Sequence, residues 1–231
     1  MDKIGGFRSV IVSAFLLGTS TFAHALTWDF TGFHDGEGTI GNSRTFTAEG
    51  ITVTATAWSY TANGFEQARL GQWGIGLGVC SVAEACGDPL HQVDNAGQNE
   101  YVLFQFSEAV IPVSVEIAPY GTYDRDASYW TGTGVLPANL LAGESYGSLS
   151  SLGFFPRIDS DGTVASYLSR DVPISSPAVT ALLFGPKYLG GEDDYFKIRS
   201  ITAVPEPTSL VLLSLGLLGL VWVGTKKPLI S

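Results

Sequence analysis

Apolar and polar residues alternate along most of the chain between positions 26 and 201. Residues 26–30 and 51–57 alternate with a period of two, which places successive side chains on opposite faces of a strand. Residues 73–79 repeat this period with glycines between the apolar positions, and residues 101–106 are apolar on both faces, as in a central strand. The pattern predicts a domain built from short β-strands.

Later segments extend this prediction to the end of the domain. Further strands are predicted at residues 110–117, 129–130, 164–168, 179–184 and 195–201. Pro112 has no backbone donor and therefore indicates a sheet edge or a bulge. Roughly ten short strands with many glycines predict an all-β fold, an antiparallel β-sandwich that is jelly-roll-like, with a closed barrel as the alternative.

The first 25 residues have the composition of a secretory signal peptide. Lys3 and Arg8 precede a short apolar core at residues 10–17, and Ala23-His24-Ala25 forms an Ala-x-Ala cleavage site. The core is too short to cross a membrane, and an uncleaved anchor is the alternative. The predicted division is a signal peptide at 1–25, an exported domain at 26–203 and a C-terminal signal at 204–231.

The most apolar run of the chain lies near its end. Residues 208–224 are uncharged and rich in Leu and Val, and a helix over them would span about 25 Å of a hydrocarbon core about 30 Å thick. Pro205 and Pro207 prevent the helix from extending upstream. Lys226 and Lys227 follow it and indicate a cytoplasmic C-terminus. We therefore predict a transmembrane helix at about 208–224, with a buried core helix as the alternative.

The order of Pro205-Glu206-Pro207, an apolar helix and Lys226-Lys227 resembles the PEP-CTERM sorting signal of Gram-negative bacteria. This resemblance implies recognition by an exosortase, a membrane enzyme, with processing near the Pro-Glu-Pro. It implies the inner membrane as an intermediate location, followed by the cell surface, the outer envelope or an exopolysaccharide-rich extracellular matrix. This sorting-signal resemblance covers about the last 28 residues. Residues 76–79, 91–95, 102–106 and 195–198 also resemble a recurrent ectodomain of PEP-CTERM proteins, which implies a β-sandwich and no established activity.

The charge of the domain argues against one class of partner, and its cysteines predict a disulfide. The 231 residues carry a formal net charge of −10, and the region between the two end signals has eight Lys and Arg against twenty Asp and Glu. An acidic domain of this kind disfavours nucleic acid as a partner. Cys80 and Cys86 are the only cysteines, and in an exported chain such a pair predicts a disulfide.

Polar residues before the central strand offer the first candidate site. Asp94, Asn95 and Glu100, with His91 nearby, supply the hard oxygen ligands that Ca²⁺ prefers. We therefore consider calcium as a ligand of Asp94, Asn95 and Glu100. The alternative is an Asx-turn that leads into the strand without binding a metal.

A second candidate site combines carboxylates with aromatic rings. Asp124 and Asp126 precede Tyr129 and Trp130. Rings of this kind stack on the faces of sugars, and carboxylates accept hydrogen bonds from sugar hydroxyls. These four residues are therefore candidate carbohydrate contacts, and the alternative is a solvated turn followed by aromatic residues of the core.

Signatures of common enzymes are missing from the sequence. It has no Gly-x-Ser-x-Gly, no His-Glu-x-x-His and no Walker loop. We therefore expect a non-catalytic, surface-sorted protein that acts by binding or as a scaffold in the cell surface or exopolysaccharide layer. The alternatives are a secreted hydrolase of polysaccharide and a permanent single-pass membrane protein.

The two end signals predict the termini of the mature protein. Mass spectrometry of the protein isolated from its native envelope should give an N-terminus at Leu26 and a C-terminus near Pro205. An intact C-terminus that includes Lys226 and Lys227 would contradict the sorting interpretation and favour the permanent membrane protein.

Overall fold

The computed structural model describes residues 24–32, 41–84, 86–87, 91–121, 123–134, 137, 139–162, 168–188 and 193–206. They belong to one compact unit, Ala23–Glu206. The predicted helix at 208–224, Lys226, Lys227, nearly all of the predicted signal peptide and most of the predicted strand at 164–168 lie outside the described residues. Within the described ranges, no helix is long and apolar enough to cross a membrane.

Strands dominate the described residues, as the alternating sequence predicts. They are β1 (Leu26–Asp29), β2 (Ser43–Ala48), β3 (Ile51–Thr61), β4 (Gly64–Gln67), β5 (Arg69–Trp73), β6 (Gly76–Cys80), β7 (Val93–Asp94), β8 (Asn99–Pro119), β9 (Ala127–Gly132), β10 (Ile158–Ser160), β11 (Arg170–Pro173), β12 (Val179–Pro186) and β13 (Tyr195–Pro205). One 3-10 helix, Tyr146–Leu152, lies between β9 and β10.

All thirteen strands join one branched antiparallel sheet centred on β8. Its main path runs β10-β9-β12-β8-β13-β6-β5, while β3 with β2 and β4 branches from β8, and β1 branches from β13. The first half of β8 pairs with β3 and β12. The second half pairs with β13 and β11. The neighbours of β8 therefore change along its length.

The alternation within β8 sends its side chains to two separate cores. The first core takes Val102 and Phe104, which are fully buried together with Leu182 and Phe184 of β12. The second core lies on the opposite face of these strands and consists of Trp58, Phe65, Tyr101, Leu103, Trp130, Leu141, Leu149, Phe154, Ala181 and Leu183. Since both faces are covered here, residues 101–106 of β8 are apolar at nearly every position.

The all-β class is confirmed, as an open antiparallel sheet, and the finer jelly-roll sandwich stays a prediction. Residues 101–106 and 110–117 were predicted as separate strands, and this is wrong because β8 is continuous. Ser107 and Glu108 are exposed, so they interrupt the apolar pattern without ending the strand. The pairing register of β13 with β8 shifts between Thr202 and Ala203, opposite Pro112, which agrees with the bulge that this proline predicts.

The segment 73–79 was predicted as one strand, and this is also wrong. Gly74 and Ile75 form the turn of a hairpin between β5 and β6, and Ile75 is 48% exposed. The sequence pattern does not reveal this turn, because the alternation of glycines with larger apolar residues continues across it from β5 into β6. β6 then ends at Cys80, which forms the predicted disulfide with Cys86, with Cα atoms 5.5 Å apart.

Gly78 allows the backbone of β6 to pack against the segment before β7. A Cβ atom at this position would overlap the carbonyl oxygen of His91 and would lie 2.7 Å from Lys197 Nζ. The fully buried strand β6 therefore requires glycine at position 78 for steric reasons.

Gly78→Ala is expected to lower the free energy of unfolding by about 1–3 kcal/mol, as overpacking does in other buried sites. The matched control is Gly74→Ala, because a Cβ atom there would meet nothing within 4 Å. Chemical denaturation of both variants tests this, and equal stability of the two would contradict the packing described for β6.

Candidate functional site

A cleft opens where the 3-10 helix and the chain after it cover the second core. Its volume is about 330 Å³, which falls in the range of small-molecule sites. The lining residues are Trp130, Tyr146, Gly147, Leu149, Ser150, Phe155, Pro156 and Arg157. Three of the eight are aromatic and none is acidic.

Backbone hydrogen bonds fix the wall that carries Phe155. Phe155 N donates to Thr131 O at 2.8 Å, and Thr133 N donates to Gly153 O at 3.3 Å. These bonds extend β9 by a short antiparallel pairing in which Phe154 faces Gly132. Gly153 has φ 88°, a left-handed conformation that favours glycine, and it ends the 3-10 helix. Phe154 is therefore buried in the second core, while Phe155 remains 40% exposed at the cleft.

Tyr146 is the central ring of an aromatic cluster beneath the cleft. Its ring stacks on Trp130 with centroids 5.7 Å apart and planes inclined by 15°. It also contacts Tyr60, with centroids 3.8 Å apart, and Tyr188, with centroids 4.2 Å apart. Trp130 itself is only 4% exposed, so it supports the cleft floor while Tyr146 and Phe155 present more surface.

A hydroxyl pair fixes the orientation of Tyr146. Tyr146 Oη donates to Tyr101 Oη at 2.9 Å, and Asn99 Nδ2 donates to both hydroxyls at 3.4 Å. Burial raises the pKa of Tyr101 above its ordinary value. Burial and the neighbouring Tyr101 raise the pKa of Tyr146 in the same direction. Both hydroxyls are therefore neutral at physiological pH, and they position the rings instead of acting as a base.

Arg157 supplies the charged group at the rim of the cleft. Its Nε atom lies 3.0 Å from Asp159 Oδ1, which also accepts a hydrogen bond of 2.6 Å from Ser128 Oγ. The guanidinium carbon lies 5.4 Å from the centre of the Tyr188 ring. The ion pair and the ring hold the guanidinium beside the aromatic wall, where its amino groups can donate to a ligand.

Of the four candidate carbohydrate contacts, only Trp130 lines the cleft. Because neighbouring residues of a strand face opposite sides, Tyr129 points into the first core, where its hydroxyl accepts a hydrogen bond of 3.0 Å from Ser175 N. Asp124 Oδ1 accepts from Arg125 N at 2.7 Å in the loop before β9. The sequence pattern therefore gives one residue of the cleft and misses the segment that carries Tyr146, Phe155 and Arg157.

Asp126 belongs to a network of hydrogen bonds and an ion pair that joins the loop before β9 to the loop between β12 and β13. Its Oδ2 atom lies 3.4 Å from Lys187 Nζ, and its backbone N donates to Asp194 Oδ1 at 2.8 Å. Asn95 binds the same carboxylate through Nδ2 at 3.0 Å, and its Oδ1 accepts from Asp194 N at 2.7 Å. The groups of Asp126 and Asn95 are thus committed to loop contacts.

The residues considered for calcium are split between two places. Asn95 binds Asp194, whereas the buried carboxyl groups of Asp94 and Glu100 lie near each other and near the half-buried Glu84. Glu100 is fully buried, and neither of its carboxylate oxygens has a hydrogen-bond partner by distance and angle among the described residues. No group of three or more His, Cys, Asp or Glu side chains in the described ranges is arranged to hold a metal ion. Calcium therefore stays a prediction without structural support.

Burial raises the pKa of two of these carboxyl groups, Asp94 and Glu100. Burial, then the carboxylates of Asp94 and Glu84, raises the pKa of Glu100 well above its ordinary value. Burial, then Glu84, raises the pKa of Asp94 to about 7, although Ala96 N donates to its Oδ1 at 3.0 Å and Lys197 is near. The charged forms of Asp94 and Glu100 are disfavoured because the two groups are poorly solvated and lie near each other and near Glu84.

The raised pKa of Asp94 predicts that this carboxyl group favours the folded domain more in acid than at neutral pH. The unfolded chain loses this proton near its ordinary pKa of 3.8, but the folded protein keeps it until about pH 7. The stability that the proton contributes is therefore complete below about pH 4 and is lost as the pH rises to about 7. Asp94→Asn should flatten this part of the profile and raise the melting temperature at pH 8. The control Glu108→Gln, an exposed change on β8, should leave the slope unaltered; an equal effect of both would contradict the assignment.

Comparisons with known proteins add information only for the end of the chain. No curated protein and no solved structure matches the sequence. Residues 203–227 match the family model of the PEP-CTERM protein-sorting motif, which confirms the recognition made from Pro205, Glu206 and Pro207. The chain thus carries a PEP-CTERM sorting signal, which implies processing by the membrane enzyme exosortase and export to the cell surface.

Proposed function

We propose that this exported protein is a non-catalytic binding protein of the cell surface whose aromatic cleft takes a segment of extracellular polysaccharide. The observation that carries the proposal is the cleft itself, in which Tyr146 and Phe155 present ring faces beside the donors of Arg157. Sugar rings have an apolar C–H face and a periphery of hydroxyls, so they match rings flanked by hydrogen-bond donors.

The Tyr146 side chain is already fixed in one orientation before a ligand binds. Its hydroxyl is bound to Tyr101 and its ring is packed between Trp130 and Tyr60. A side chain held in one orientation before binding loses little conformational entropy when the ligand arrives. The cleft is open to solvent and not an enclosed cavity, which suits a chain that extends beyond the site better than a small molecule that must be enclosed.

The lining of the cleft supports binding over hydrolysis. Glycosidases need two carboxyl groups on either side of the bond that breaks. Among the described residues, the lining contains no Asp or Glu, and Asp159 at the rim is engaged by Arg157 and Ser128. The lining of the cleft therefore fits a non-catalytic site for attachment to the matrix better than it fits a glycosidase site. A secreted hydrolase is the alternative function.

Phe155→Ala should weaken the binding of the full-length protein to extracellular polysaccharide from its own envelope. Loss of one stacking ring is expected to cost about 1 kcal/mol, or about fivefold in Kd. Affinity electrophoresis in gels containing the polysaccharide measures this change. Arg157→Ala should also weaken binding, because it removes the donors at the rim.

Tyr123→Ala is the matched control. Tyr123 is 45% exposed, compared with 40% for Phe155, and belongs to a separate ring cluster with Tyr120 and Tyr195. Unchanged binding of this variant is expected. A loss with Tyr123→Ala but not with Phe155→Ala would move the site away from the cleft, and new reducing ends in the polysaccharide would favour the hydrolase.

A further inference from the structure

The final strand of the domain continues into the sorting motif. The matched motif begins at residue 203, and β13 extends to Pro205. Residues 203–205 therefore belong both to the motif and to β13. The predicted boundary between residues 203 and 204 falls inside a strand, so no linker separates the domain from the Pro-Glu-Pro.

Each of these residues has a partner on β8. Ala203 lies opposite Pro112, Val204 opposite Ile111, and Pro205 opposite Val110. Glu206 N extends the pairing by donating to Ala109 O at 3.2 Å. Two residues of the Pro-Glu-Pro are thus held by the sheet in the folded protein.

The pairing is weaker at this end than along the rest of β13. Because Glu206 N donates to Ala109 O, residues 205 and 112 lie at the alternate positions, where backbone N–H groups point away from the partner strand. From Ala203 onward, only Val204 and Glu206 therefore direct their N–H groups at β8. The register also shifts between Thr202 and Ala203. Val204 and Pro205 are half-buried and Glu206 is exposed, whereas Ile201 and Ala203 are fully buried. Opening would therefore stop at Ala203, because going further would expose the first core.

We infer that the folded domain masks the start of its own sorting motif, and that exosortase acts on a state in which Val204–Glu206 has separated from Ala109–Ile111 of β8. Enzymes that act on a peptide backbone need its N–H and C=O groups, which a paired strand already uses. The ends of strands open locally at low free energy while the core stays closed. The sheet therefore limits how fast the precursor is processed, whatever the cleft binds.

A disulfide across the pair tests whether separation is required. In antiparallel pairs the Cα atoms lie about 4.5–5.5 Å apart, within the range that a disulfide spans. The double variant Ile111→Cys/Val204→Cys, made in the full chain and expressed with its exosortase, should accumulate as unprocessed precursor. Dithiothreitol should restore processing, and wild type treated in the same way controls for reduction of Cys80–Cys86.

The two single cysteine variants should be processed like wild type, which separates the effect of the cross-link from that of the substitutions. Peptide mapping without reductant verifies that the new bond joins positions 111 and 204. Processing of the cross-linked protein at the wild-type rate would overturn the inference, because the motif would then be used while paired.

A linker tests the opposite change. Insertion of Gly-Ser-Gly-Ser between Val204 and Pro205 moves the Pro-Glu-Pro off the sheet and should speed the conversion of precursor to mature protein in a pulse-chase experiment. The same insertion between Glu49 and Gly50, at the exposed tip of the β2–β3 hairpin, should leave the rate unchanged. Slower processing of the Val204 insertion would also overturn the inference, because it would mean that the strand presents the motif instead of masking it.

Discussion

Burial of both faces of β8 determines where the other parts of the domain can lie. One face contributes Phe104 to the first core, and the other contributes Leu103 to the second. The sheet alone cannot cover the second face, so the chain between β9 and β10 folds over it with the 3-10 helix. The cleft forms at the margin of that cover, where the last rings of the second core meet solvent.

The sequence predicts features that depend on local pattern and fails where distant segments meet. Period-two alternation gives β1, β3, β9, β12 and β13, and an exported pair of cysteines gives the disulfide. The cleft depends on Tyr146 and Phe155, which lie in a Gly- and Ser-rich stretch without periodicity and meet Trp130 only through tertiary packing. The burial of Glu100 was likewise hidden, because a charged residue before a strand looks like a surface position.

The two parts of the molecule that concern function are supported by different halves of β8. Residues before Ser107 carry Tyr101, whose hydroxyl orients the ring beneath the cleft. Residues after Glu108 pair with the end of β13, where the sorting motif begins. The proposed binding cleft and the sorting motif therefore share one structural support but use separate contacts, so a change in either need not alter the other.

The pairing of β1 with β13 has a consequence for the order of folding. Leu26 lies opposite Ala203 and Trp28 opposite Ile201, so the first strand of the exported domain pairs with its last, and among the described strands β1 pairs only with β13. Contacts this distant along a chain close late and slowly. The sheet therefore stays incomplete until the last strand of the domain has been synthesised, because β1 has no other strand partner among the described residues.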